Sequence, residues 1–251
     1  MYIPPAFEEN SLPRLHQTID QARVAQFVTY GSTGLNATPL PLLLDASEGP
    51  HGVLYGHIAR ANPLWQTAPD GEALAIFMGP DAYITPSWYP SKQRDGKVVP
   101  TWNYVTVHAH GPVEFFDDPD RLLAVVTRLT ERHEAPRAAP WAVDDAPAAF
   151  VAANLRHIVG IRMPITRLEG KRKMSQNRSG EDQAGVAAGL AASADPADQD
   201  AAAQMDAAAS AGPSSAVSPS AISSSAISSS AEPSSTAASS VLPLSAPLPR
   251  S

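Results

Sequence analysis

Four segments concentrate residue types that do chemistry. In Gly56-His57-Ile58-Ala59-Arg60-Ala61-Asn62-Pro63 a histidine, an arginine and an asparagine sit where a strand-like run gives way to a helix-compatible one. A helix start offers free N–H groups, and a guanidinium adds a two-pronged grip, so His57, Arg60 and Asn62 suit a phosphate. The same residues also describe an ordinary strand end with Arg60 in a surface ion pair. In Ile84-Thr85-Pro86-Ser87-Trp88-Tyr89-Pro90-Ser91-Lys92 two adjacent aromatics stand in a loop. Trp88 and Tyr89 would cover a flat aromatic ligand whose polar edge Ser87 and Lys92 reach, or they pack the loop onto a barrel or a second subunit. Thr101 to Gly111 reads as an alternating strand with Trp102, Tyr104, Thr106, His108 and His110 on one face, and Asn103 among them in sequence. Two histidines two residues apart begin a metal site, but no nearby carboxylate completes it, so the expectation is hydrogen-bonded or solvent-facing rings and no metal. Gly170 to Arg178 holds Lys171, Arg172, Lys173, Gln176, Asn177 and Arg178. That density of donors suits a dianionic phosphate or the pyrimidine edge of a flavin; it also suits a solvated basic turn. No catalytic constellation is legible: there is no Gly-x-Ser-x-Gly elbow, and acids and histidines are scattered.

The elements that must carry these segments follow from periodicity and turn residues. Asn10-Ser11-Leu12-Pro13 marks a helix start, and Leu15, Ile19, Ala22 and Phe27 continue at near-helical spacing until Gly31. Leu35 to Asp45 reads as a strand in which Pro39 and Pro41 argue for an edge or a bulge. Strands are expected at Val53 to Ile58, Ala73 to Ile84 and Thr101 to Phe116, with a short helix over 61–68 and a long loop from Thr85 to Pro100. Pro119 to His133 is amphipathic through Leu122, Leu123, Val126 and Leu129, and a second helix covers Pro147 to His157. Ile158 to Leu168 is the last strand. Helices around short antiparallel strands make an α+β protein built on a small barrel. No phosphate-binding loop or dinucleotide fingerprint is present.

Composition divides the chain. From Asp182 to Ser251, 46 of 70 residues are Ala, Ser or Pro, and none is Phe, Trp or Tyr. Such a stretch is expected to bury too little apolar surface to offset the entropy of ordering, so residues 182–251 read as a disordered tail and 1–181 as one domain. The whole chain carries −7, of which the tail's six acids and single Arg250 account for −5. A domain near −2 gives weak support to DNA as a partner. There are no cysteines, which excludes disulfides, thiolate metal sites and thiol catalysis. With no leader pattern and no apolar run of membrane-spanning length, the expected location is the cytoplasm, with no membrane partner.

Together the segments resemble the PaiB family of FMN-binding negative transcriptional regulators. The resemblance rests on Met1-Tyr2-Ile3-Pro4-Pro5-Ala6-Phe7, Gly56 to Pro63, Ile84 to Tyr89, Val99-Pro100-Thr101-Trp102-Asn103-Tyr104 and Lys173-Met174-Ser175-Gln176-Asn177-Arg178, and runs from Met1 to about Arg178. It implies an FMN-binding antiparallel split β-barrel with flanking helices, paired as a homodimer with flavin at the subunit interface. Carried over, Arg60 and Lys92 are phosphate or ring-edge partners, Ser87, Trp88 and Asn103 groove residues, and Lys173, Gln176 and Asn177 contacts from the final strand of either chain. His57, Asn62 and Trp102 complete the expected cofactor set. A flavin-dependent NAD(P)H oxidoreductase and a haem-binding split barrel, with His57, His108, His110 or His133 on iron, stand as alternatives.

Overall fold

A computed structural model describes residues 1–210 except Ala68. Ten strands and six α-helices follow one another as β1 (Glu8–Glu9), α1 (Leu12–Gln21), β2 (Ala25–Gly31), β3 (Gly34–Leu40), β4 (Leu43–Asp45), β5 (Val53–Ala59), β6 (Ala73–Ile84), α2 (Ser91–Asp95), β7 (Thr101–Gly111), β8 (Glu114–Phe116), α3 (Pro119–Glu134), α4 (Ala148–Leu155), β9 (Ile158–Pro164), β10 (Arg167–Lys173), α5 (Gly180–Ala191) and α6 (Pro196–Ser210). Single turns of 3-10 helix cover Pro63–Gln66 and Pro86–Trp88.

Alternation decides the first departure from the sequence reading. The expected helix does not reach Gly31. It ends at Gln21, and Ala25, Phe27 and Thr29 are buried while Gln26 and Tyr30 are exposed, the period of two that a strand requires. Pro39 falls in β3, at the edge of its sheet, where a missing N–H removes no ladder bond. The chain then changes sheet at Pro41, so Leu35 to Asp45 is two strands, not one.

The strands form two antiparallel sheets. One has the order β1-β10-β7-β6-β2-β3, the other β4-β5-β9-β8. Thr101 to Phe116 splits between them: β7 lies in the six-stranded sheet and β8 in the four-stranded one. Likewise the expected last strand divides into β9 and β10, and Lys171 to Lys173, which follow the strand expected to end at Leu168, are themselves strand residues paired with Tyr104 to Thr106. These changes of sheet close the barrel. Its interior is filled by Phe27, Ala75, Phe77, Val107 and Ala109 from the larger sheet and Leu54, Ile58, Ile161 and Met163 from the smaller, with Leu15 and Ile19 of α1 between them.

Among the described residues, α3 and α4 cover the outward face of the four-stranded sheet. Asp118 caps α3 by accepting from the Arg121 N–H at 2.9 Å, with Pro119 in the first turn. Leu122, Val125 and Leu129 of α3 and Leu155 of α4 then pack on Leu43, Tyr55 and Phe116 of the four-stranded sheet.

The expected tail does not begin at Asp182. Gly180–Ala191 and Pro196–Ser210 are helices whose Val186, Leu190, Ala201, Ala202 and Met205 pack on Ala82, Ile84, Tyr89, Val105 and Met174. Ser179 caps α5, and the buried Asp182 accepts from the Ser91 N–H at 3.0 Å and its hydroxyl at 2.8 Å. A Cβ at Gly185 or Gly189 would collide with Trp88, so these glycines set how closely α5 lies on the 86–88 turn. Alanine buries little area, but it is the strongest helix former, and that property prevails here. The rest of the expected tail, 211–251, lies outside the described residues. Those 41 residues hold one acid, Glu232, and one base, Arg250, so residues 1–210 carry the full −7. Among the described residues no helix is long and apolar enough to cross a membrane.

Candidate functional site

The expected cofactor residues fall into two groups on different sheets. His57, Arg60 and Asn62 lie at the end of β5 in the four-stranded sheet. Asn62 caps the following 3-10 turn, its side-chain oxygen accepting from the Leu64 N–H at 3.0 Å. Arg60 ties two strand ends together: Nε donates to the Arg156 carbonyl at 2.8 Å and Nη2 to that of Ile158 at 3.1 Å. Nη1 stands 3.5 Å from the Asp117 carboxylate. Two backbone bonds fix the fork in place and leave other N–H groups on it, with Asp117 opposing any incoming anion. His57 is directly opposite Gly160, and the Phe116 ring lies over that glycine, so the imidazole faces the helical layer.

The second group gathers at one end of the six-stranded sheet. Trp102 and Tyr83 are cross-strand partners, about half exposed, with ring centroids 5.8 Å apart in an edge-on arrangement. Lys173 pairs with Tyr104, and its Nζ donates to the Thr101 hydroxyl at 2.6 Å and to the Trp102 carbonyl. Lys171 lies over the Tyr104 ring at 5.2 Å. Burial, then the charges of Lys171 and Arg178, push the Lys173 ammonium below the usual lysine range. A bound anion would relieve the charge part of that penalty. Lys92 donates to Ser87 at 3.3 Å on the exposed side of the 86–95 segment. Gln176 and Asn177 are exposed, and Gln176 bonds locally to Arg172 and Met174.

Two expected groove residues are packed instead. Trp88 lies beneath α5 against Gly189 and is half-buried there. Asn103 is fully buried and exchanges two 3.1 Å hydrogen bonds with Ser175, the one non-glycine residue among those described with a left-handed backbone (φ 63°). Asn103 therefore holds the turn that carries Gln176 and Asn177 rather than meeting solvent.

The sequence reading missed Glu169. No carboxylate is near His108 and His110 in sequence, but β10 runs beside β7 and places Glu169 directly across from His108. The three ligand-type side chains lie within 4.8 Å of one another. Glu169 is already engaged, accepting from His110 at 2.9 Å and from the Met1 α-amine at 3.0 Å, with Arg167 at 2.9 Å. Burial alone would raise its carboxyl; the bonds from the α-amine and His110 and the Arg167 charge outweigh that and hold it at about 2. A carboxylate saturated by two cations is ion-pair chemistry, and only strand register could reveal it.

An FMN requires a flat apolar surface for its rings and several donors for its phosphate and pyrimidine edge. The end of the six-stranded sheet supplies both: exposed Trp102 and Tyr83, then Lys171, Lys173, Lys92 and the side-chain amides of the 174–178 turn. The donor set fits the group.

Comparison with known proteins agrees. A family described as "Putative FMN-binding domain" matches residues 1–167. The Bacillus subtilis protein called protease synthase and sporulation protein PAI 2 is 31% identical over 197 residues, covering 78% of this chain and 92% of that one. A protein of Emericella nidulans, AN0679, is 32% identical over 188 residues, covering 62% of this chain and 75% of its own. Among solved structures, the flavocytochrome Anf3 from Azotobacter vinelandii aligns with TM-score 0.50 at 11% identity, over 71% of this chain and 75% of that one, a likeness of fold alone. On its sequence and its split-barrel architecture, the chain is a member of the PaiB family of FMN-binding-domain proteins.

Proposed function

We propose that the protein is an FMN-binding homodimer that pairs through the open face of its six-stranded sheet and holds flavin at the edge of that interface. The supporting observation is the face itself. Tyr30, Leu35, Met78, Tyr83 and Trp102 lie on one side of the sheet, 48–78% exposed, and no described helix covers them. Large apolar side chains left open along one face of a sheet, here interspersed with charged ones, favour an interface. In this reading the flavin rings lie against Trp102 and Tyr83, and Lys173, Lys92, Ser87, Gln176 and Asn177 meet the polar edges. Arg60, pre-positioned by its two carbonyl bonds at the end of the four-stranded sheet, meets the phosphate from the partner subunit of the pair. Trp88 and Asn103 support these residues from behind. Bound FMN would supply redox chemistry; the chain's own residues bind and orient it and exclude water from it.

A regulatory role follows the family, and direct DNA binding has little electrostatic support: residues 1–210 carry −7. Regulation through flavin state or a protein partner is the reading that fits this charge. The test is titration of the full chain with FMN and with riboflavin. Saturation near one FMN per chain is expected; Lys173→Ala, at the ring edge, should weaken FMN and riboflavin alike, whereas Arg60→Ala should weaken FMN about tenfold or more while changing riboflavin less, because only FMN has the phosphate. Equal losses for both ligands in Arg60→Ala would remove the phosphate role. Leu35→Glu should convert the dimer to monomer in light scattering; a wild type that is already monomeric would sink the interface.

A further inference from the structure

A second cavity lies on the opposite side of the barrel. It occupies about 300 Å3 between the outward face of β5 and the helices α3 and α4. Val126, Val151 and Leu155 line it, together with Trp141, Phe150 and His57. Trp141 is 48% and Phe150 62% exposed, a large aromatic area for a surface with no described cover. No Lys, Arg, Asp or Glu lines the cavity.

Of the polar residues lining the cavity, Thr130, Asn154 and His157 stand toward its open side, and His57 lies at its floor on β5. Its Nδ1 is sealed from solvent and has no hydrogen-bond partner. Burial pushes its pKa down, so the ring is neutral, with one N–H and one lone pair. An orphaned buried N–H is rarer and costlier than an unsatisfied acceptor, which assigns the proton to Nε2. Nδ1 is closed off, so the ring meets the cavity along its Nε2 edge, as a neutral donor.

We propose that this cavity binds a flat, uncharged aromatic molecule of one or two rings whose hydrogen-bond acceptor meets His57 Nε2, with its rings against Trp141 and Phe150. The volume is at the lower end for small-molecule sites, which favours one or two rings. An anion would be buried without a compensating cation. A carbonyl or ring nitrogen has the right polarity. Flavin rings on the six-stranded sheet would not reach this site, but Arg60, the proposed phosphate ligand, donates to the carbonyl of its lining residue Ile158, so competition with FMN separates the two readings.

The test uses two probes of similar outline, coumarin, which has a carbonyl, and naphthalene, which does not. Titrated into the full chain by calorimetry, coumarin should saturate one site per chain and bind about three- to tenfold tighter than naphthalene, the worth of one neutral hydrogen bond. His57→Phe should erase that preference while leaving naphthalene affinity unchanged. Phe150→Ala, at an exposed position that leaves folding intact, should weaken both probes. Absence of saturable coumarin binding would overturn the proposal, as would binding indifferent to both substitutions. Displacement of coumarin by FMN would also overturn it, because the probe would then be reading the flavin site.

Discussion

The two sheets of the barrel treat their outward faces in opposite ways. On the four-stranded sheet, Leu43, Tyr55 and Phe116 are covered by Leu122, Val125 and Leu129 of α3. On the six-stranded sheet, Tyr30, Leu35, Met78, Tyr83 and Trp102 are as apolar but lie open, mixed with His108, His110, Glu169, Lys171 and Lys173. The difference separates two uses of an apolar residue. Where outward residues meet a helix of the same chain, they stabilise the fold; where they meet nothing and stand beside charged groups, they are available to a partner or a ligand.

The largest expected effect concerns a third apolar surface, the one under α5 and α6. Burial of Val186, Leu190 and Met205 stabilises the domain by roughly 1.5–3 kcal/mol for each side chain. A chain ending at Ser179 should therefore melt about 10 °C or more below one ending at Ser210. Equal melting temperatures would mean that these helices contribute nothing and that the domain ends near residue 180.

The next prediction contrasts the covered and open faces directly. Leu122→Ala, 1% exposed beneath α3, should cost about 2–4 kcal/mol in chemical unfolding at any protein concentration. Trp102→Ala should cost stability only when the chain is concentrated enough to pair, shrinking to within about 0.5 kcal/mol on dilution. A concentration-independent loss at Trp102 as large as that at Leu122 would erase the distinction between the faces.

The smallest effect is electrostatic and belongs to the open face. Glu169 sits at about 2 in the fold against an ordinary 4.5. A carboxyl depressed in the fold stabilises it above the unfolded value, and that stabilisation is lost as pH falls from 4.5 toward 2. Glu169→Gln should therefore be less stable than wild type at neutral pH, and the two should converge across that acid window. Curves that stay parallel from pH 7 to 2 would show that the Met1, His110 and Arg167 contacts do not hold the carboxylate.

Sequence by itself determined the family and the α+β barrel. The strand Ala73–Ile84 and the helix begun at Pro119 are legible because alternation, a capping Asp118 and a helical apolar stripe are local signals. The donor-rich run at 171–178 and the aromatic at 102 are legible as types, whereas Tyr83 joins Trp102 only through strand pairing. Tertiary structure alone decided which of them meet. The register of β10 on β7 brings Glu169 to His108 and Lys173 to Tyr104 across about sixty residues of chain or more, and no short-range pattern encodes that. The register of β5 on β9 likewise turns His57 toward the helices. Alanine-rich α5 and α6 escaped the composition argument because their burial depends on a few residues, Val186, Leu190 and Met205, and on glycines that let Trp88 approach. Local periodicity specifies an element; which face of it is covered depends on contacts between residues far apart in the chain.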